Sequence, residues 1–242
     1  MFTAAAVHQL GQKADTLQAF DSIDGGAGND TLNIYVSDDG TSAFNAAQVG
    51  TIKNIETINI DQNEAVAARL FAGGTVDASK FEGATAVNQI AKAGSVTNLA
   101  ATTTAGFVNT AQATALSVTA AAAATSASVA LTNAADANLT DGNVVALNVA
   151  GAALNAVNVS GTIAAGTNTP ATQVLNLGVT AGKDVATLTV NAATAATLAV
   201  TRGTGSTKDI TTLDASGSTA GVTFNALAAA PAVTGGTAGS LA

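Results

Sequence analysis

Cysteine and tryptophan are absent from the 242 residues, and histidine, tyrosine and methionine occur once each. Without cysteine there is no disulfide and no thiolate metal site. With His8 as the single histidine, read as structural or solvent-facing, neither a histidine metal cluster nor a Ser-His-Asp triad can be built around a core residue. Charge is scarce too: 8 Lys and Arg stand against 16 Asp and Glu, and together they make 10% of the chain. Basic residues so few and scattered exclude the clustered surface that nucleic acid requires, and they offer nothing to an anionic membrane. No apolar run reaches the roughly eighteen residues of a membrane span. The opening "MFTAAAVHQLGQKAD" lacks the basic start and long apolar centre of an export leader. The chain is therefore cytosolic, a mature fragment, or exported by another route. Zero cysteine fits an extracellular bacterial protein, and the acidic excess behind the net charge of −8 suits divalent cations and keeps the surface soluble.

Aromatic residues make up only 3% although hydrophobic residues reach 48%, so alanine supplies much of the apolar content. A core of Ala, Val, Leu and Ile buries little area per residue, at about 25 cal/mol per Å². A stacked, repetitive architecture suits such a chain better than a compact globule, because each layer is covered by the next. A mean hydropathy of +0.36 argues against low-complexity disorder.

What is present is a train of short β signals. After a lead-in over residues 1–20, read as irregular or partly helical, come "TLNIYV" and "NIETINIDQ". "NEAVAARLFAGG" predicts a short helix ending at Gly73. From about residue 84, segments such as "LSVT", "VALNV", "VLNLGV" and "TLTV" carry apolar residues at alternate positions, as strands with one buried face require. Leu147, Val157, Leu175, Leu188, Leu198 and Leu213 open equivalent triplets at irregular spacings. "TVDAS" (75–79) and "TLDAS" (212–216) echo each other, and Asp77 and Asp214 are read as caps of their turns. Asn33, Asn59, Asn148, Asn158 and Asn176 lie between apolar neighbours; stacked layers would align them into amide ladders, while the alternative is that they face solvent. The predicted fold is all-β, a β-solenoid of parallel β-helix or β-roll type behind the short lead-in, with a tandem β-sandwich as the alternative. Residues 1–83 form an N-terminal segment of mixed strands and a short helix, and residues 84–242 a repetitive β-rich segment.

One stretch carries chemistry. "DSIDGGAGND" packs Asp21, Asp24 and Asp30 around Gly25, Gly26 and Gly28, and then enters a strand. "GGAGNDTLN" fits the nine-residue pattern G-G-x-G-x-D-x-U-x, and Asp21/Asp30 and Ile23/Leu32 repeat its spacing. Glycines bring backbone carbonyls inward and a carboxylate closes the cage, a mixture of oxygens that suits calcium. The bland reading is an Asx-Gly turn entering a strand. Asp24, Asn29, Asp38, Asp39 or another chain could complete a calcium site. Glu56 reads as a solvent-facing strand residue in preference to a ligand.

The motif resembles the repeats-in-toxin (RTX) calcium-binding β-roll of secreted bacterial proteins. The wider run over residues 21–36 and 52–90 resembles the Ala/Thr/Asn-rich surface-layer and large adhesin proteins of proteobacteria. The resemblance implies Ca2+ held by Asp21, Asp24, Gly25, Gly26, Gly28, Asn29 and Asp30. It also implies an extracellular location at the bacterial cell surface, by type I secretion without an N-terminal signal. This chain has about one and a half repeats where a β-roll has several in succession. The expected function is a calcium-stabilised, self-assembling structural protein of a surface layer, filament or matrix. Its partners would be copies of itself in a homo-polymer or lattice, with cell-surface glycan as a further candidate. The alternative is a carbohydrate- or surface-binding module of an adhesin. Catalysis is not expected: Arg69, Arg202, His8 and Tyr35 form no base–electrophile–clamp set.

Overall fold

The structure, a computed structural model, describes residues 2–5, 7–9, 12–14, 22–35, 51–61, 75–112, 114–140, 142–167, 173–181, 187–192, 198–202, 212–217, 222–225, 232–234 and 239–241. It is all-β. The one helical element among these residues is a single 3-10 turn, Ala78–Lys80. The predicted helix over 63–73 lies outside the described residues.

The strands form two large sheets. The path of the larger runs through Phe2–Ala5, Thr31–Tyr35, Thr57–Asp61, Ala86–Ile90, Thr104–Val108, Ser126–Asp136, Ala156–Ile163, Thr187–Ala192, Thr212–Asp214 and Ala232–Thr234. The smaller runs through Thr75–Asp77, Ser95–Leu99, Leu116–Ala120, Asn143–Gly151, Gln173–Ala181, Leu198–Arg202, Val222–Asn225 and Gly239–Leu241. From Ala86 onward the chain alternates between the two, apart from the short strand Ala111–Gln112. Every strand pair in them is parallel, which excludes the antiparallel sandwich. A third sheet, Ser22–Asp24, Thr51–Lys53 and Phe81–Glu82, adds a side to the N-terminal layers.

Register follows from side-chain shape. In the smaller sheet Val76, Val96, Val118, Val149 and Val179 are cross-strand partners in succession, and Leu116, Leu147 and Leu177 line up beside them. All are buried. A one-residue slip would turn every one of them outward, so the column specifies its own alignment. In the larger sheet Leu32, Ile58, Val87, Ala105, Val129 and Val159 make one inward column. Ile34, Ile60, Gln89, Phe107, Leu131 and Gly161 make the next. Small beside large keeps the layer evenly filled: Ala105 precedes Phe107 by two residues, and Gly161 follows Leu131 across the pair. The buried side chains divide into two clusters, one from Leu32 to Val87 and one from Ala78 to Ala215.

Buried polar groups serve the corners. Gln89 occupies an inward position at 0% exposure, where Ile34 and Ile60 stand in the layers before it. Its amide closes the following turn, accepting from Gly94 N at 2.7 Å and donating to Gly94 O at 2.9 Å. Asn143 donates to Ala134 O and Ala164 O at 3.0 and 2.7 Å and accepts from Asp136 N at 2.9 Å. These amides stand in for backbone partners where the chain changes sheet.

The described residues of the N-terminal lead-in are strands. Phe2–Ala5 pairs in parallel with Thr31–Tyr35, and Val7–Gln9 and Gln12–Ala14 form an antiparallel hairpin. At Val7 and Ala14 sheet pairing overrides the helical spacing; Leu10 and Leu17, the other two positions of that spacing, lie outside the described residues.

Candidate functional site

The glycine turn leads from the corner sheet into the larger one. Asp24, Lys53 and Glu82 are successive cross-strand neighbours, so a cation is stacked between two carboxylates. Lys53 Nζ lies 3.1 Å from Asp24 Oδ2. Asp24 Oδ1 also accepts from Asn54 Nδ2 at 2.8 Å and from Gly26 N at 3.0 Å. The Asn54 amide, the Lys53 ammonium and the Gly26 N–H together hold the Asp24 carboxyl below the usual carboxylate range. Asp24 is thus committed to the corner.

The backbone explains the glycines. Gly26 and Gly28 have φ of +80° and +132°, values that side chains oppose. A methyl group on Gly25 would collide with the carbonyl of Asn54 in the next layer. Gly25 N donates to Lys53 O at 3.1 Å, and Asn54 N donates to Glu82 O at 3.0 Å, so the turns of successive layers are stitched together.

Asp30 behaves differently from Asp24. Its N–H donates to Glu56 Oε2 at 2.6 Å, and its carbonyl accepts from Thr57 N at 3.1 Å. Its carboxylate has no protein partner among the described residues. Glu56 is half-buried, and its second carboxylate oxygen also has no described partner. The Glu56 carboxylate therefore reaches the backbone of Asp30, 26 residues earlier in sequence and at the start of the neighbouring strand. The solvent-facing reading of Glu56 misses this. The same interval separates Asn33 from Asn59, and aligning those two asparagines places Glu56 beneath Asp30.

Of the residues the motif singles out, Asp24, Gly25, Gly26, Gly28, Asn29 and Asp30 lie on this one turn, with Asn29 exposed. Asp21, Asp38 and Asp39 lie outside the described residues. Among the described residues no group of three acidic or histidine side chains converges on one point. The donors at hand, the Asp30 and Glu56 carboxylates and the carbonyls of the turn, are hard oxygens of the type calcium takes. Two carboxylates and the turn carbonyls are fewer fixed ligands than the roughly six to eight oxygens that calcium takes.

An amide ladder runs beside the turn. Asn59 Nδ2 donates to Asn33 Oδ1, and Asn88 Nδ2 to Asn59 Oδ1, both at 2.8 Å. It stops at Gly106, where a side chain would overlap the Asn88 amide. Asn158 departs from the pattern: its amide reaches Ser128 Oγ at 3.5 Å. Asn148 is exposed, between Ser117 and Gly178.

The two DAS echoes share turn chemistry and occupy different sheets. Asp77 Oδ1 accepts from Ser79 N at 3.1 Å and Ser79 Oγ at 2.7 Å, and Asp214 Oδ1 accepts from Ser216 N at 2.9 Å. Asn98 Nδ2 adds a 2.9 Å bond to Asp77 Oδ1. Burial pushes the Asp77 carboxyl up, but the hydrogen bonds from Asn98 and Ser79 outweigh it and leave the group lowered. Asp214 is lowered by Ser216. A depressed folded-state pKa gives stability that is present above the unfolded value, near 3.9 for Asp, and lost as pH falls through the folded value. Asp77→Ala should therefore cost about 1 kcal/mol at neutral pH, as loss of a cap does. Melting curves of wild type and variant should converge as pH falls below the unfolded value and through the lower folded one. A gap independent of pH would show that the carboxylate charge is irrelevant to the cap.

No family model matches the chain, and neither a curated protein nor a solved structure matches it. The resemblance to RTX proteins rests on the residues of the motif.

Proposed function

We propose that this chain is a β-solenoid structural protein that works outside the cell, is stabilised by calcium, and self-assembles into a surface layer, filament or matrix. One observation carries the reading: strands stacked in parallel and in register through two sheets that the chain visits alternately. Such a stack extends by adding strands at its edges, from the same chain or from another copy. Among the described residues, Ala232–Thr234 and Gly239–Leu241 each pair on one side only and contain no charged residue to blunt the edge. Outward positions are filled largely by Thr, Ser, Ala and Asn, a surface suited to packing against itself. Asp30 and Glu56 would hold the ion, with carbonyls of the glycine turn. Bound calcium would join the Asp30 turn to the Glu56 carboxylate and so tie one layer to the next. The RTX resemblance points the same way.

Binding of an ion to the folded state alone stabilises it by about 2.7 kcal/mol at a free concentration 100 times the dissociation constant. The melting temperature should therefore fall on adding EDTA and recover with calcium. Asp30→Ala should remove the response, whereas Thr119→Ala, on the outer face of the smaller sheet, should keep it. Electron microscopy with calcium should show ordered arrays or fibres that loosen in EDTA. A chain that stays monomeric in millimolar calcium and melts identically in EDTA would overturn the proposal.

A further inference from the structure

Beside the corner where Ala111–Gln112 pairs with Ala135–Asp136, the chain leaves the stack in a loop and re-enters it at Asn143. The loop is tightly braced. Asp136 Oδ1 accepts from Asn138 N at 2.7 Å, and Asp136 Oδ2 accepts from Val144 N at 2.9 Å. Asn138 Oδ1 accepts from Thr140 N at 3.1 Å and Thr140 Oγ1 at 2.7 Å. From the next layer, Thr167 N and Thr167 Oγ1 both donate to Leu139 O at 2.8 Å. Between this loop and the segment after Gln112 lies a groove of about 350 Å³.

Its lining is chemically mixed. Gln112, Thr114, Asp136 and Asn138 supply polar groups, and Val144 and Ala146 supply an apolar floor. Gln112 Nε2 is committed to Ala93 O at 3.0 Å, which leaves its Oε1 as an acceptor. Asn138 Nδ2 and the Thr114 hydroxyl have no protein partner among the described residues. Each Asp136 oxygen retains a second lone pair. At 38% exposure, Val144 is the single large apolar side chain on the surface among the described residues. Asp136 is the one charged group described between Lys92 and Arg202.

We infer that this groove is a binding site for a neutral saccharide. Fixed donors and acceptors around a small apolar floor match a sugar's hydroxyls and its C–H face. The Asp136 carboxylate disfavours anionic ligands. A divalent cation is disfavoured as well, since both Asp136 oxygens already hold N–H groups. With no aromatic ring in the lining, affinity is millimolar. The site does not depend on assembly, and the isolated chain should show it.

Saturation-transfer NMR of the full chain tests this, with maltose, cellobiose, lactose and N,N′-diacetylchitobiose as neutral probes and sialyllactose as an anionic one. At least one neutral disaccharide should give a signal, and sialyllactose should not exceed it. Asp136→Asn should weaken binding at least tenfold. Because Asp136 also braces the loop, Ala146→Gln is the second variant: it fills the groove from the strand and breaks none of these hydrogen bonds. It should abolish the signal with the melting temperature unchanged. Silence from all four neutral probes, or an undiminished signal in Ala146→Gln, overturns the inference.

Discussion

Phe107→Ala should lower the unfolding free energy by about 3–5 kcal/mol, the cost of deleting a fully buried aromatic ring. Phe107 is at 0% exposure, between Gln89 and Leu131 in its column. The inward neighbour two residues before it on its own strand is the small Ala105, which leaves the space of the ring unfilled when the ring is deleted. The layers above and below are fixed by parallel hydrogen bonds, which keeps the walls from closing over the cavity. The denaturation midpoint in urea, followed by circular dichroism, measures the loss. Phe107→Leu should cost clearly less. A loss under about 1 kcal/mol for the alanine variant would contradict a well-packed interior at this point.

Gly161→Ala should be nearly as severe, for a different reason. Gly161 has φ of +108°, and a methyl group there would run into the carbonyl oxygen of Leu131, its cross-strand partner. The obstacle is backbone, so the strand itself must shift. The combined strain and displacement should cost about 3 kcal/mol. Gly26→Ala provides the comparison: φ is +80°, but nothing lies within 4 Å of the added methyl. It should cost about 1 kcal/mol, the left-handed penalty alone. Hydrogen exchange should show the Gly161→Ala damage concentrated where Ser126–Asp136 meets Ala156–Ile163. Equal losses for the two variants would rule out the collision as the cause.

The sequence made the strands of the middle region readable, because Leu147, Val149, Val157, Val159, Leu175 and Leu177 alternate with polar residues and are all buried. The turns capped by Asp77 and Asp214 were readable from their Asx-x-Ser pattern. Pairing was harder to read. Partners in each sheet come from alternate strands, and layers of unequal length hide that rhythm from any fixed period. Phe2–Ala5 escaped because an alanine-rich segment has no apolar alternation to show. At the candidate site, the turn Gly25–Asp30 announced itself through its glycines. Glu56 did not, because its role comes from the layer beneath. Gln89 and Asn143 are polar side chains in inward positions, which periodicity assigns to apolar residues. Only the corner bonds they make explain them.

The parallel stack also has a mechanical consequence. Its interstrand hydrogen bonds point along the stacking direction, so a pull along that direction strains the outermost strand first. That strand can peel away one bond at a time while the columns behind it, such as Val96, Val118 and Val149, keep their alignment. Lengthening would then proceed layer by layer, each step releasing the slack of one strand and its connection. Tension would be spent locally, and a loaded sheet of such units could stretch without tearing through.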